Sequence, residues 1–210
     1  MNQPSTFDPE RWTHRISVHA MYYKIAHDHA RHYQDRDTEH SKLRTDLTCA
    51  EELSEISRRL EQCYEERARS AVIAITFAGM ALEAFFYDYA ADQLGDAFVK
   101  DHLDKLDLPS KFLEYPRLIC GKSPDKSRAA YGSLKSLVSL RNRLVHFKSK
   151  PFNLDKTDEA SDFHDELNKI LHVGVDRAIE AVRLVLTELG ALQGDRSLFV
   201  QRLKWSIGEI

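Results

Sequence analysis

Apolar residues recur at helical spacing along most of this chain. After Asp8-Pro9, a capping pair with Pro at the first helical position, Trp12, Ile16, Ala20, Tyr23, Ala26, Ala30 and Tyr33 fall three or four apart and make one stripe. The charged run DRDTEH (35–40) interrupts that stripe and predicts a linker. A second helical pattern starts near Thr45-Asp46 and runs through Leu47, Leu53, Ile56 and Leu60, with charges on its other face. It merges into the most apolar stretch of the chain, SAVIAITFAGMALEAFFY (70–87), in which Glu83 is the single ionisable acid. A helix apolar nearly all round belongs at the buried centre of a bundle.

Between 95 and 130 the turn formers Gly95, Pro109, Pro116, Gly121 and Pro124 predict short helices and loops. Regular helix resumes around Gly132 and continues to about Lys150, where Pro151 ends it. Beyond the loop PFNLDKT, a long amphipathic helix carries Phe163, Leu167, Ile170, Leu171, Val175, Ala178, Val182 and Leu186, and Gly190 and Gly194 close it. Ser197 to Trp205 is expected to form a last short helix. No stretch alternates convincingly as a strand, so the expected fold is all-α: a helical bundle with long antiparallel helices and an additional N-terminal helix. The expected division is an N-terminal helical extension (1–45), the bundle (46–194) and a C-terminal short helix packed on it (195–210). Trp12 and Trp205 are expected to anchor the terminal helices on the bundle.

Composition agrees with this pattern. Gly and Pro together are 14 of 210 residues, about half the usual share, which leaves little room for the tight turns of a sandwich or barrel. No apolar run approaches the ~18 residues of a membrane span, and MNQPSTFDPERW lacks an apolar signal-peptide core. Cys49, Cys63 and Cys120 are odd in number and widely spaced. That suits a reduced, cytoplasmic protein rather than a disulfide framework or a cysteine zinc site.

Charge changes the picture more. The formal net charge is −3, yet residues 111–150 hold ten Lys/Arg against Glu114 and Asp125. That block is +8, so the other 170 residues carry −11. A basic block on an acidic protein is the footprint of a phosphate-binding surface, or else a solvated loop face.

Within the block, Leu134, Leu137, Val138, Leu140, Leu144 and Val145 define the apolar face of one helix, and Arg141 lands near its middle. A charge there is costly unless paired or functional. Asn142 and His146 are four apart and share an edge. Arg141 and His146 are five apart, about 140° around and ~7.5 Å along the axis. Converging on one ligand therefore requires the long Arg side chain, a bend or a second subunit.

SLRNRLVHF resembles the Arg-x(4–6)-His signature of the HEPN superfamily (higher eukaryotes and prokaryotes nucleotide-binding), with Arg141 and His146 in the motif positions and polar Asn142 after the Arg. AGMALEAFFYDYA is similar to the central helix of some HEPN families, where a Glu interrupts an apolar run. The resemblance covers roughly residues 70–190 and leaves 1–45 unaccounted for. It implies a HEPN-like bundle that commonly dimerises with its two motifs facing one another. Many members are metal-independent endoribonucleases; others only bind nucleotides or partners. It further implies a toxin–antitoxin or phage-defence setting, with an antitoxin or nucleotidyltransferase as partner, and no cofactor.

On that reading His146 is general base or acid, Arg141 the phosphate clamp and Asn142 an orienting donor, while Lys135, Arg143, Lys148 and Lys150 track the RNA backbone. Histidine suits proton transfer near neutrality, and a guanidinium stabilises the charge a scissile phosphate gathers. The competing expectation is a non-catalytic HEPN-like nucleotide- or protein-binding scaffold, its Arg and His kept for dimer packing; on a purely structural reading Arg141 pairs with Glu83 as a buried, register-fixing ion pair and His146 is merely satisfied at the helix edge. The two overlap, because Glu83 can also hold Arg141 in its working rotamer. A ribonuclease requires Arg141 and His146 exposed in one basic cleft; a scaffold buries both. A helical protein unrelated to HEPN is favoured if the segments around Glu83 and Arg141 do not pack together.

Other candidates carry less. Six of ten histidines fall in 14–40, but His27, His29 and His32 lack metal-site spacing, and a solvated helix face is expected. Cys120 beside Gly121-Lys122 is expected to be an ordinary half-buried thiol. Phe77, Phe85, Phe86, Tyr87 and Tyr89 are expected in the core or at a dimer interface. No GxxxxGK[ST], GxGxxG or GxSxG motif occurs.

Overall fold

The computed structural model describes residues 18–47, 53–146 and 157–194. These form α1 (His19–Leu47), α2 (Leu53–Leu94), a single turn α3 (Asp96–Phe98) leading into a π-helical turn (Val99–Leu103), α4 (Leu108–Cys120), α5 (Ala129–Val145) and α6 (Thr157–Gln193). Among the described residues there is no strand, and the protein is an all-α helical bundle.

The near-uniformly apolar stretch is indeed the bundle's centre. Ala71, Ala74, Ile75, Ala78, Leu82, Phe86 and Tyr89 of α2 are buried, and α1, α4, α5 and α6 all pack against this helix. Ile75 meets Gly174 of α6, and Tyr89 is hydrogen-bonded by Gln193, so α2 and α6 run parallel. Arg141 reaches Glu83 and Arg128 reaches Glu188, which sets α5 antiparallel to both. Phe85 stacks on Tyr89 with ring centroids 6.0 Å apart, and Phe86 meets Phe112 and Tyr115 edge-on. Phe85, Phe86 and Tyr89 are therefore core, and Phe77 and Tyr87 pack half-buried against it. By length and composition α2 does qualify as a membrane span, contrary to expectation, but more than half of its most apolar stretch is buried inside the bundle.

Residues 35–40 are not a linker. α1 continues through them because their charges lie along α2 and are matched there: Asp37 to Arg67 at 2.6 Å, Glu39 to Arg59 at 3.4 Å, Arg36 to Glu66 at 3.6 Å. A polar helix surface, not a chain break, interrupted the apolar stripe. Thr45 and Asp46 accordingly belong to the end of α1, not to the start of α2. The boundary expected at residue 45 does not divide the core either, since Tyr23, Ala26, Ala30 and Tyr33 of α1 lie in one apolar cluster with α2 and α6. The Asp8-Pro9 cap, both tryptophans and the C-terminal short helix lie outside the described residues.

The interrupted segment behaves as its turn formers require. Asp107 caps α4 by accepting from the Ser110 amide at 2.8 Å, Pro109 sits in the first turn, and Gly121 ends the helix with φ 72°. Pro116, expected to break the chain, is instead accommodated inside α4. α5 begins at Ala129, earlier than Gly132, and ends at Val145 with His146 as its C-cap. Gly194 (φ 68°) closes α6, whereas Gly190 lies within it.

Candidate functional site

Leu134 and Leu137 are fully buried, and truncating either to Ala costs roughly 2–5 kcal/mol at such sites. α5 is thus fixed rigidly on the bundle. Arg141 projects from the same face toward α2. A backbone without a side chain makes this feasible: a Cβ on Gly79 would stand 2.7 Å from Arg141 Cδ. The Arg stem lies across that glycine, and Nη1 donates to Glu83 Oε1, one helical turn on, at 2.5 Å. The side chains remain 24% and 44% exposed respectively, so the pair opens to the surface. The segments around Glu83 and Arg141 do pack together.

Asn142, Arg143 and His146 are exposed. The His146 amide donates to Asn142 O at 3.0 Å, which closes the last turn of α5. Arg141 is committed to α2, while His146 leaves the helix about 140° away. One chain therefore brings together Arg141 and Glu83, and separately Asn142 and His146, rather than one Arg–His cleft. The geometry matches neither pure expectation, since His146 is not buried and Arg141 is not free in a cleft.

The basic block is not one surface. Lys111 is buried beside Asp104 (3.4 Å), and Arg117 pairs with Glu114. Lys122 donates to Leu192 O at the end of α6, and Arg128 pairs with Glu188 at 3.0 Å. Lys111, Lys122 and Arg128 thereby link neighbouring segments, while Arg117–Glu114 is an exposed pair within α4. Lys135 and Arg143 stand exposed on α5, with Lys135 Nζ 5.8 Å from the Tyr131 ring centre. Lys148 and Lys150 lie outside the described residues.

Three of the N-terminal histidines, His19, His32 and His40, lie along the α1–α2 seam rather than on the expected solvated face, whereas His27 is exposed. His19 meets Asp88 at 3.2 Å, His32 meets Ser70 at 2.8 Å, and burial, with Arg67 nearby, lowers the His40 pKa. Among the described residues no group of three His, Cys, Asp or Glu is arranged to hold a metal. Burial likewise pushes the Cys63 thiol up, and Cys120 donates to Pro116 O. A second polar cluster joins Tyr33, His172, Asp37 and Arg67. Burial, then Asp37, pushes the Tyr33 phenol up to about 12, so it stays a neutral hydrogen-bonding group that ties α1 to α6 rather than a nucleophile.

Gly79 is the site residue that sequence reasoning overlooked. Its signal was present: the only glycine in the apolar run, four residues before the only acid, hence on the same helix face. Compared with known proteins, the chain matches no family model, no curated protein and no solved structure.

Proposed function

We propose that this protein is a HEPN-type, metal-independent endoribonuclease that acts as a homodimer. The observation that carries the reading is the placement of the RNxxxH residues on one helix: Arg141 held at the surface by Glu83 over Gly79, with Asn142 next to it in sequence and His146 more than one turn further on, both exposed. His146 takes the proton from an RNA 2′-hydroxyl, whose oxygen attacks the adjacent phosphorus. The P–O5′ bond breaks and the 5′-oxygen takes a proton from solvent water, giving a 2′,3′-cyclic phosphate and a 5′-hydroxyl. A guanidinium carries five donors in a planar fork, so Glu83 at Nη1 orients the group while its remaining edge faces the phosphate.

Because Arg141 and His146 diverge within a chain, the reading assigns the Arg and the His of one site to different copies. Val72, Val145 and Val173 are exposed, each within five residues of the junction where Ile75, Leu140 and Gly174 meet, which supplies an apolar rim for a second copy. RNA cleavage in EDTA by wild type, His146→Ala and Arg141→Ala tests the assignment: both variants fall by about a hundredfold or more, and full activity in either removes it. A toxin–antitoxin or phage-defence role, with an antitoxin or nucleotidyltransferase as partner, extends the same reading.

One observation favours a second reading, the non-catalytic nucleotide- or protein-binding scaffold. Glu83 offsets much of Arg141's charge, as a register-fixing ion pair would. A protein that binds its partner equally well with Arg141→Met and never cleaves RNA fits that reading alone.

A further inference from the structure

α2 is apolar nearly all round, yet the described helices leave one side of it uncovered. Place Ile75, which meets α6 at Gly174, at zero on a helical wheel. Gly79 and Glu83, which Arg141 of α5 meets, then fall at about 40° and 80°. Phe77, Ser70 and Asp88, which meet Tyr22, His32 and His19 of α1, fall at about 200–220°. α1 and α5 therefore flank α2 on nearly opposite sides with α6 beneath, and α1, α2 and α5 form a flat layer. Its far side is centred at about 140°, where Met80 stands.

On that far side Ile73, Thr76, Met80 and Ala84 step three or four apart with Phe77 beside them, and each is only half-buried. Met21 of α1, next to the Tyr22 that packs on Phe77, and Val145 of α5, about one turn beyond Arg141, are exposed. A surface helix turns its polar stripe to water; here the stripe left open is apolar, with Glu83 at its α5 edge.

We propose that a second copy of this chain packs on this layer, α2 against α2 and antiparallel, about a twofold axis at Met80. The proposal rests on the homodimer of the ribonuclease reading and adds the surface and the register. Shape selects the occupant: a single helix or an extended segment fits a groove, whereas a flat layer is matched over its whole width by another flat layer. From Ile73 to Tyr87 is about 21 Å and three helices side by side span about 28 Å, so the layer projects on the order of 600 Å². Each partner in a stable interface gives up ~800 Å² of accessible surface, which a side-chain surface of that projection supplies. Side-chain size selects the register. The antiparallel pairing sets Phe77 of each copy over Ala84 of the other, large against small, whereas a parallel one sets Phe77 on Phe77 and leaves a gap between the alanines. The partner's Phe77 also comes over Glu83, whose side chain is 44% exposed in the single copy. The second copy thus shuts water from the acid that orients Arg141, and the site is incomplete without it.

Cysteine cross-linking reads the register directly. Met80→Cys meets its own copy at the axis, so oxidation with copper–phenanthroline joins most of the protein into a covalent dimer. Thr187→Cys, on the exposed side of α6, gives no more dimer than wild type. Ala84→Arg puts a long charged side chain into the contact. In sedimentation equilibrium wild type runs at twice the 24.2 kDa chain mass, and Ala84→Arg raises the dimer Kd about thirtyfold or more with unchanged circular dichroism. Wild type that sediments as a monomer leaves the layer to another occupant and overturns the proposal. A dimer that Met80→Cys does not join, or that a folded Ala84→Arg does not weaken, also overturns it; should Ala84→Arg fail to fold, Met80→Cys alone decides. A dimer joined through Met80→Cys that never cleaves RNA leaves the surface standing and removes the ribonuclease reading. RNA cleavage by a dimer that Met80→Cys does not join does the reverse.

Discussion

Gly79 and Arg141 fit one another: the Arg stem crosses α2 at the one position in the apolar run that has no side chain, and a methyl there would lie 2.7 Å from Cδ. Through that gap the guanidinium reaches Glu83. The charge in the middle of α5's apolar face is therefore accommodated by a glycine on the neighbouring helix rather than by burial of a bare ion.

This fit sets a sign. In wild type, Gly79→Ala gains about 1 kcal/mol of helix propensity but displaces Arg141, at a cost of about 1–3 kcal/mol, and net stability falls or stays level. In an Arg141→Ala background the clash is gone and the same change stabilises by about 1 kcal/mol. Chemical denaturation of the four proteins in this cycle shows a coupling of about 1 kcal/mol or more. Additive effects would mean that Arg141 does not lie over Gly79.

Asp107 gives a pH-dependent prediction. Its carboxylate accepts from Ser110 at the N-terminus of α4, and that bonding holds its pKa below the ordinary 3.8. A lowered folded value means the contribution is complete above the unfolded pKa and disappears as pH falls through the folded one. Asp107→Ala therefore costs about 1 kcal/mol at neutral pH, and the gap to wild type closes under more acid conditions than an ordinary carboxylate would require. A gap that is constant with pH in equilibrium unfolding excludes the cap.

Gly132→Ala tests the open surface of α5. With open space around it, the added methyl raises stability by about 0.5–1 kcal/mol. A variant whose unfolding midpoint is unchanged or lowered contradicts the open space at this position.

Much of the fold was legible in the sequence because the apolar periodicity is strong. The central helix, the broken segment after Gly95 and the long final helix follow directly from spacing and turn formers. The misreading at 35–40 came from treating charge as a break. Asp37 and Arg67 are 30 positions apart in sequence, and their pairing exists only once α1 folds back along α2. Pro116 was misjudged for a related reason, since packing within the bundle keeps α4 continuous around it. At the site, the Arg141–Glu83 pair was foreseen from the anomaly of two charges on apolar faces. The basic block was legible as charge but not as architecture: Lys111, Lys122 and Arg128 are spent on internal contacts that no one-dimensional count reveals.

The central claim is that Arg141 of one copy and His146 of another cleave RNA together, and mixing two inactive variants tests it most directly. Arg141→Ala and His146→Ala, each about a hundredfold or more below wild type in EDTA, are unfolded and refolded together so that subunits redistribute. Half of the resulting dimers are mixed, and each mixed dimer holds one intact composite site of two, so about a quarter of wild-type activity returns, with 2′,3′-cyclic phosphate ends on the product. A mixture no more active than its separate components, or either variant active alone, contradicts the claim.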